Sequence, residues 1–164
     1  MDYSKLFSDE FPEEFYDFTY GSVHHHSYAD GRADYLIQRY GKVKFLDIGC
    51  ACGILVKILR EKGAQAWGIE VSRYALSQSC SPKFTVYGDI RAIPFPDNFF
   101  DVVHSQAVLG YFPRKDIEKA ISECKRVGKL QCHTTDTSIL PPAYGYRFME
   151  PLEWWQNKFL DGMI

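Results

Sequence analysis

The sequence predicts an α/β fold, a three-layer sandwich with helices on both faces of a mostly parallel sheet. Three observations predict it. Short apolar runs alternate with stretches of helical periodicity from residue 30 onward, and glycines at 41 and 63 and a serine at 72 punctuate them. With 164 residues the chain has room for about one domain. Strands that alternate with helices of this length need right-handed crossovers, which makes neighbouring strands parallel.

The first 30 residues stand apart. They set Phe7, Phe11, Phe15, Tyr16, Phe18, Tyr20 and Tyr28 among acids, and Phe11, Phe15 and Phe18 at helical spacing predict a short amphipathic helix that lies over something. Ala33, Leu36, Ile37 and Tyr40 then form a helical stripe ended by Gly41, and residues 43–48 give the first buried strand. Ile54, Leu55, Ile58 and Leu59 predict the next helix, closed by Gly63, before a second strand over residues 66–69. Ser72 is placed to cap a third helix running towards Ser79. Residues 84–87 read as a third strand, and residues 101–104 with Phe99 and Phe100 as a fourth. Ile117, Ala120, Ile121 and Cys124 stripe another helix, and residues 129–134 form a fifth strand. An aromatic stretch from Tyr144 to Phe148 and a helix over residues 151–159 follow. The chain reads as one domain, residues 1–164, with residues 1–30 as an aromatic cap or lid and residues 138–164 as a tail.

Composition narrows the function. Hydrophobic residues make up 46%, aromatic residues 16% and charged residues 24%, enough apolar volume for a packed core. Nineteen Lys and Arg against 21 Asp and Glu leave a charge of −2, so no broad positive field exists to hold nucleic acid or anionic lipid. No apolar run approaches the ~20 residues of a membrane helix. Met1 leads into Asp2, Asp9, Glu10, Glu13 and Glu14, the opposite of a basic start before an apolar signal core, so a cytoplasmic protein is expected. Five cysteines, at 50, 52, 80, 124 and 132, lack C-x-x-C spacing, which argues against a disulfide framework and a zinc site; no metal is expected. The adjacent His24, His25 and His26 point in different directions and read as an exposed polar loop.

In a parallel α/β sheet, ligands bind beyond the carboxyl ends of the strands. The turn after strand one holds Asp47, Gly49, Cys50, Ala51, Cys52 and Gly53. Gly49 permits a sharp exit, Ala51 and Gly53 keep side chains small, and the amides of Cys52 and Gly53 are expected to point at a ligand's anionic end. A dinucleotide fingerprint wants glycines at i, i+2 and i+5, whereas here position 54 is isoleucine, so a pyrophosphate fits poorly. Glu70 ends strand two, where a carboxylate can accept from two ribose hydroxyls. After strand three, Asp89 can bond an exocyclic amine while Ile90 packs on a purine face.

These stretches together resemble the class I S-adenosyl-L-methionine (SAM) dependent methyltransferases, particularly small stand-alone ones acting on metabolites. The resemblance covers residues 28–137 and rests on Leu46 to Gly53, on Gly68 to Ser72, and on Gly88-Asp89-Ile90 followed by Ile93 to Val103. It implies a Rossmann-like sheet of order 3-2-1-4-5, with the family's terminal β-hairpin missing here. It implies SAM as cofactor, S-adenosyl-L-homocysteine as product, and an O, N or C nucleophile of a small molecule as methyl acceptor. Carried over, Asp47, Gly49, Cys50, Ala51 and Gly53 surround the methionine part, Glu70 binds the ribose, and Val71 packs on adenine. Asp89 and Ile90 meet the adenine edge and face, and Ser105 and Gln106 close the site near the sulfur. A weakly acidic acceptor needs a base beyond strands four and five, where His104, Tyr111 and His133 qualify by place.

Several features set this chain apart from that pattern. Ala51 stands for the usual middle glycine, and the turn before strand five, Arg126 to Leu130, is shorter than in relatives. If the family's two further strands are absent, strand five is expected to present an open edge. Trp154, Trp155 and Phe159 are therefore predicted to fold back over it or to form a homodimer contact. His104-Ser105-Gln106-Ala107 lacks the proline-aromatic motif that grips a flipped base, which disfavours DNA methylation. A SAM-binding regulatory or partner subunit is the alternative reading; a nicotinamide oxidoreductase fails on glycine spacing.

Overall fold

The computed structural model describes Glu13, Tyr16 and residues 29–134 and 150–159. The elements run α1 (Ala29–Tyr40), β1 (Lys44–Ile48), α2 (Ile54–Glu61), β2 (Gln65–Glu70), α3 (Arg73–Ser77), β3 (Thr85–Tyr87) and β4 (Phe100–Gln106). A 3₁₀ turn (Leu109–Tyr111), α4 (Arg114–Val127), β5 (Gly128–Thr134) and α5 (Leu152–Phe159) follow. The strands form one sheet of order β3-β2-β1-β4-β5, parallel at every pairing. This is the order and the layering the sequence predicts.

Alternation along each strand sorts side chains between two apolar layers. Leu46 and Ile48 of β1, Ile69 of β2 and Val103 of β4 pack with Ile117, Ala120 and Ile121 of α4. Phe45, Ala66, Val102 and Cys132 face the other way, onto Ala33 and Leu36 of α1 and Val56 and Leu59 of α2. Asp47 shares the Phe45 face and lies opposite Gly68 on one side and His104 on the other. The fold thus carries two polar side chains into the layer beneath α1.

Local chemistry explains the boundaries. Ser72 caps α3 by accepting from the Ala75 amide at 3.2 Å, as its position predicts, but α3 ends at Ser77, short of Ser79. Helix α4 passes into β5 without a loop; a Cβ on Gly128 would lie 2.2 Å from Val103 Cγ2, so only glycine fits beneath that strand. Arg126 donates to Ile93 O, Phe95 O and Asp97 and pairs with Glu123, fastening the segment before β4 onto α4. Asp101, read from sequence as structural, accepts from the Lys44 amide at 3.0 Å and from Lys129 Nζ at 2.8 Å.

The described terminal aromatics pack onto the face of the sheet that carries α4. Trp155 and Phe159 are buried in the layer that holds α4, and the Phe159 ring sits 4.4 Å from the ring of His133 on β5. Burying each such side chain contributes about 1.5–3 kcal/mol, and it occurs within one chain. Tyr16, helical and buried, packs with Cys52, Ile54 and Ala75, its ring 6.1 Å from that of Tyr74. The rest of the predicted amphipathic cap, the histidine triplet and the stretch around Tyr144 lie outside the described residues. Among the described residues no helix is long and apolar enough to cross a membrane.

Candidate functional site

The turn between β1 and α2 is bare and tightly wound. Gly49, Ala51 and Gly53 all have positive φ, at 70°, 47° and 77°. The Gly49 and Cys50 amides both donate to Ile69 O, at 2.9 and 3.1 Å, which pins the turn to β2. A Cβ on Gly49 would lie 2.4 Å from Val108 Cγ2, so the turn can pass under the segment after β4 only as glycine. Cys50 turns its thiol inward, over Gly68. Burial first, and then the nearby Asp47 and Glu70 carboxylates, push that thiol well above its ordinary range. One expectation is corrected: the Gly53 amide donates to Cys50 O at 2.7 Å, because the left-handed residue closes a turn, and it does not point at a ligand.

Glu70 stands at the tip of β2, 6% exposed. Its Oε2 accepts from the Ala51 amide at 2.9 Å, and its Oε1 from the amides of Val71 and Ser72 at 2.8 and 2.9 Å. Burial pushes this carboxyl up, opposed by the three amide bonds. A carboxylate offers about four acceptor positions, so one, on Oε2, is left. The protein's own backbone uses the other positions.

At the tip of β3, Asp89 meets Arg91. Arg91 Nε lies 3.0 Å from both carboxylate oxygens, its Nη2 2.6 Å from Oδ2 and its amide 2.8 Å from Oδ1. Burial would raise the Asp89 carboxyl, but the bonds and charge of Arg91 outweigh it and hold it below the usual carboxylate range. Ile90, expected on a purine face, is 3% exposed and packs in the core with Ile48 and Ile69; half-buried Val71 stays nearer the surface.

The acceptor-side residues separate onto opposite faces of the sheet. His104 is buried beside Asp47, with Nδ1 2.7 Å from Oδ1, and its Nε2 has no hydrogen-bond partner among the described residues. His133, one register position away and of opposite parity, faces α4 and α5. Gln131 donates through Nε2 to Cys124 O and Gly128 O, so its Oε1 faces His133 Nε2 at 2.9 Å and must accept from it. His133 Nδ1 is then an acceptor and takes the Ser105 hydroxyl at 2.8 Å. Burial drives the His133 pKa down to about 3, so the ring is neutral, sealed and fully bonded. Ser105 is committed to this chain of bonds, while Gln106 is exposed at the end of β4. Tyr111 lies half-buried in the 3₁₀ turn, packed near Ala51, Cys52 and Tyr16.

Sequence reasoning missed Arg91, whose only signal is its place two residues after Asp89, and Val108, whose contact with Gly49 is tertiary. Among the described residues no group of histidine, cysteine and carboxylate side chains could hold a metal ion.

Known proteins agree with this architecture. A chain of known function, a sterol 24-C-methyltransferase of Gibberella zeae, is 33% identical over 97 residues, 53% of this chain and 25% of that protein. The solved structure of TehB from Haemophilus influenzae superposes with a TM-score of 0.67 at 17% identity, covering 90% of this chain and 54% of that one. A protein of Pyrococcus horikoshii superposes with a TM-score of 0.61 at 22% identity, covering 75% of this chain and 66% of that one. The chain thus spans a quarter of the sterol enzyme and about half of TehB. The profile of the methyltransferase domain family matches residues 46–131, and the chain belongs to that family.

Proposed function

We propose that the chain binds SAM across the tips of β1, β2 and β3 and transfers its methyl group to an O, N or C nucleophile of a small molecule. The observation that carries this reading is Glu70: a buried carboxylate, tied to the β1 turn through Ala51, with one acceptor position left where a ribose hydroxyl would sit. The tight winding of the turn fits the same ligand, because Gly49 and Gly53 hold positive φ while Val108 and Thr85 fill the space a side chain would need.

Bound there, the cofactor supplies a methyl group on a sulfonium, already a good leaving group. The residues then have to align the acceptor and exclude water. Asp47 accepts the Nδ1 proton of His104, which leaves a lone pair on Nε2 to take the acceptor's proton. Tyr16 and Tyr111 flank the turn and cover it on its α3 side.

A second reading, cofactor binding without turnover, is favoured by one observation: His104 is 1% exposed, so an acceptor meets a closed surface there. One experiment separates the two. Calorimetry with SAM measures binding, and incubation with methyl-labelled SAM and a panel of small O, N and C nucleophiles measures S-adenosylhomocysteine release. Binding with release supports the enzyme, binding without release supports the regulator, and no binding refutes both.

A further inference from the structure

Asp89 is already held by the protein itself. Three N–H groups of Arg91, its amide, Nε and Nη2, make four contacts of 2.6 to 3.0 Å, the Nε–H shared between both oxygens, so the guanidinium engages the whole carboxylate fork-on. The far side of the same guanidinium reaches a second carboxylate, Nη1 donating to Asp116 Oδ2 at 3.0 Å in the first turn of α4. It also lies 5.6 Å from the centre of the Phe112 ring. Arg91, Asp89 and Asp116 are each only 22–28% exposed at their side chains, so this is a partly desolvated cluster of two acids and one base. An exocyclic amine is a donor, like the guanidinium, and both want the same oxygens.

Resting on the cofactor reading above, we propose that Arg91 determines specificity at the adenine end: it occupies Asp89 before the ligand arrives, and the adenine amine bonds Asp89 only as Arg91 withdraws onto Asp116. Asp116 makes the exchange feasible, because it keeps the arginine charge paired throughout. The arrangement mutes discrimination at purine position 6. A carbonyl there is repelled by a bare carboxylate but is welcomed by the guanidinium in front of it, so the wild-type chain tolerates an inosyl ligand that a bare Asp89 would reject.

The test is calorimetric, with S-adenosylhomocysteine and S-inosylhomocysteine as probes on the wild-type chain, Arg91→Ala, Arg91→Lys and Asp116→Asn. Removing the competitor should tighten S-adenosylhomocysteine and raise its preference over the inosyl ligand by about tenfold or more, the worth of one hydrogen bond to a charged group. Arg91→Lys, which keeps charge but loses the fork, should fall between, and serves if the alanine variant does not fold. Asp116→Asn, which strands Arg91 on Asp89, should weaken S-adenosylhomocysteine. A preference unchanged in both Arg91 variants, or S-adenosylhomocysteine weakened by them, overturns the proposal while leaving the cofactor reading in place. A wild-type chain that binds neither probe overturns that reading and this proposal with it.

Discussion

Asp47 and His104 face each other across β1 and β4, Oδ1 and Nδ1 2.7 Å apart, and the ring's other nitrogen is buried with no hydrogen-bond partner among the described residues. A buried acceptor left unbonded costs about 1–3 kcal/mol. A methyl acceptor's N–H or O–H reaching Nε2 would offset that cost. His104→Gln should leave the dissociation constant for S-adenosylhomocysteine within a few-fold of wild type and lower methyl transfer about a hundredfold, the usual worth of a positioned base. Equal loss of binding and turnover would instead make His104 a support for the cofactor.

Gly49 is required by space and by backbone conformation at once. Gly49→Ala should destabilise the chain by about 1–3 kcal/mol, from a left-handed φ of 70° and a Cβ set 2.4 Å from Val108 Cγ2. Adding Val108→Ala removes the clash and not the strain, so urea melts of the double variant should recover part of the loss. Recovery of none would place the whole effect in the backbone.

The pH dependence of stability follows from His133. Its folded pKa of about 3 lies below the ordinary value of 6.5, so between those pH values the unfolded chain binds a proton that the folded chain refuses. Stability from this residue is full above pH 6.5 and is lost as pH falls towards 3, by on the order of 1 kcal/mol per pH unit. The difference in denaturation free energy between wild type and His133→Gln, followed over that range, isolates the slope. A flat difference contradicts the assignment of His133 as buried and neutral.

The thiols should react in a set order. Cys80 is exposed, whereas the Cys52 thiol is buried and pushed up to about 12, first by burial and then by Cys80 beside it. Cys50, Cys124 and Cys132 are buried as well, with thiols raised by burial. Iodoacetamide at neutral pH should label Cys80 first, read by peptide mass spectrometry. Label on Cys52 ahead of Cys80 would show that the β1 turn opens on its own.

Much of the fold was legible because it depends on local pattern. Alternating apolar runs give β1 to β5, and Ser72 marks the start of α3 by its chemistry alone. Glu70 was legible for the same reason, as an acid at the end of an apolar strand. The direction of side chains was not. His104 and His133 are equivalent as letters, yet parity and register put one beside Asp47 and the other under Phe159. Cys50 reads as a loop residue facing a ligand, whereas the absence of a side chain at Gly68 lets its thiol fold inward. The pairing of Asp89 with Arg91 and Asp116 joins a loop to a helix 25 residues on, which no periodicity records.

The account stands or falls on Glu70 as the ribose anchor. Calorimetric titration of S-adenosylhomocysteine into wild type and Glu70→Ala, with thermal melts to show that both fold, tests it most directly. Wild type should bind one equivalent, and the variant should lose at least about tenfold in affinity, since a bond to a buried charge and the fastening of Ala51 both disappear. A wild-type chain that takes up no ligand at millimolar concentration, or a variant that binds as well as wild type, would contradict it.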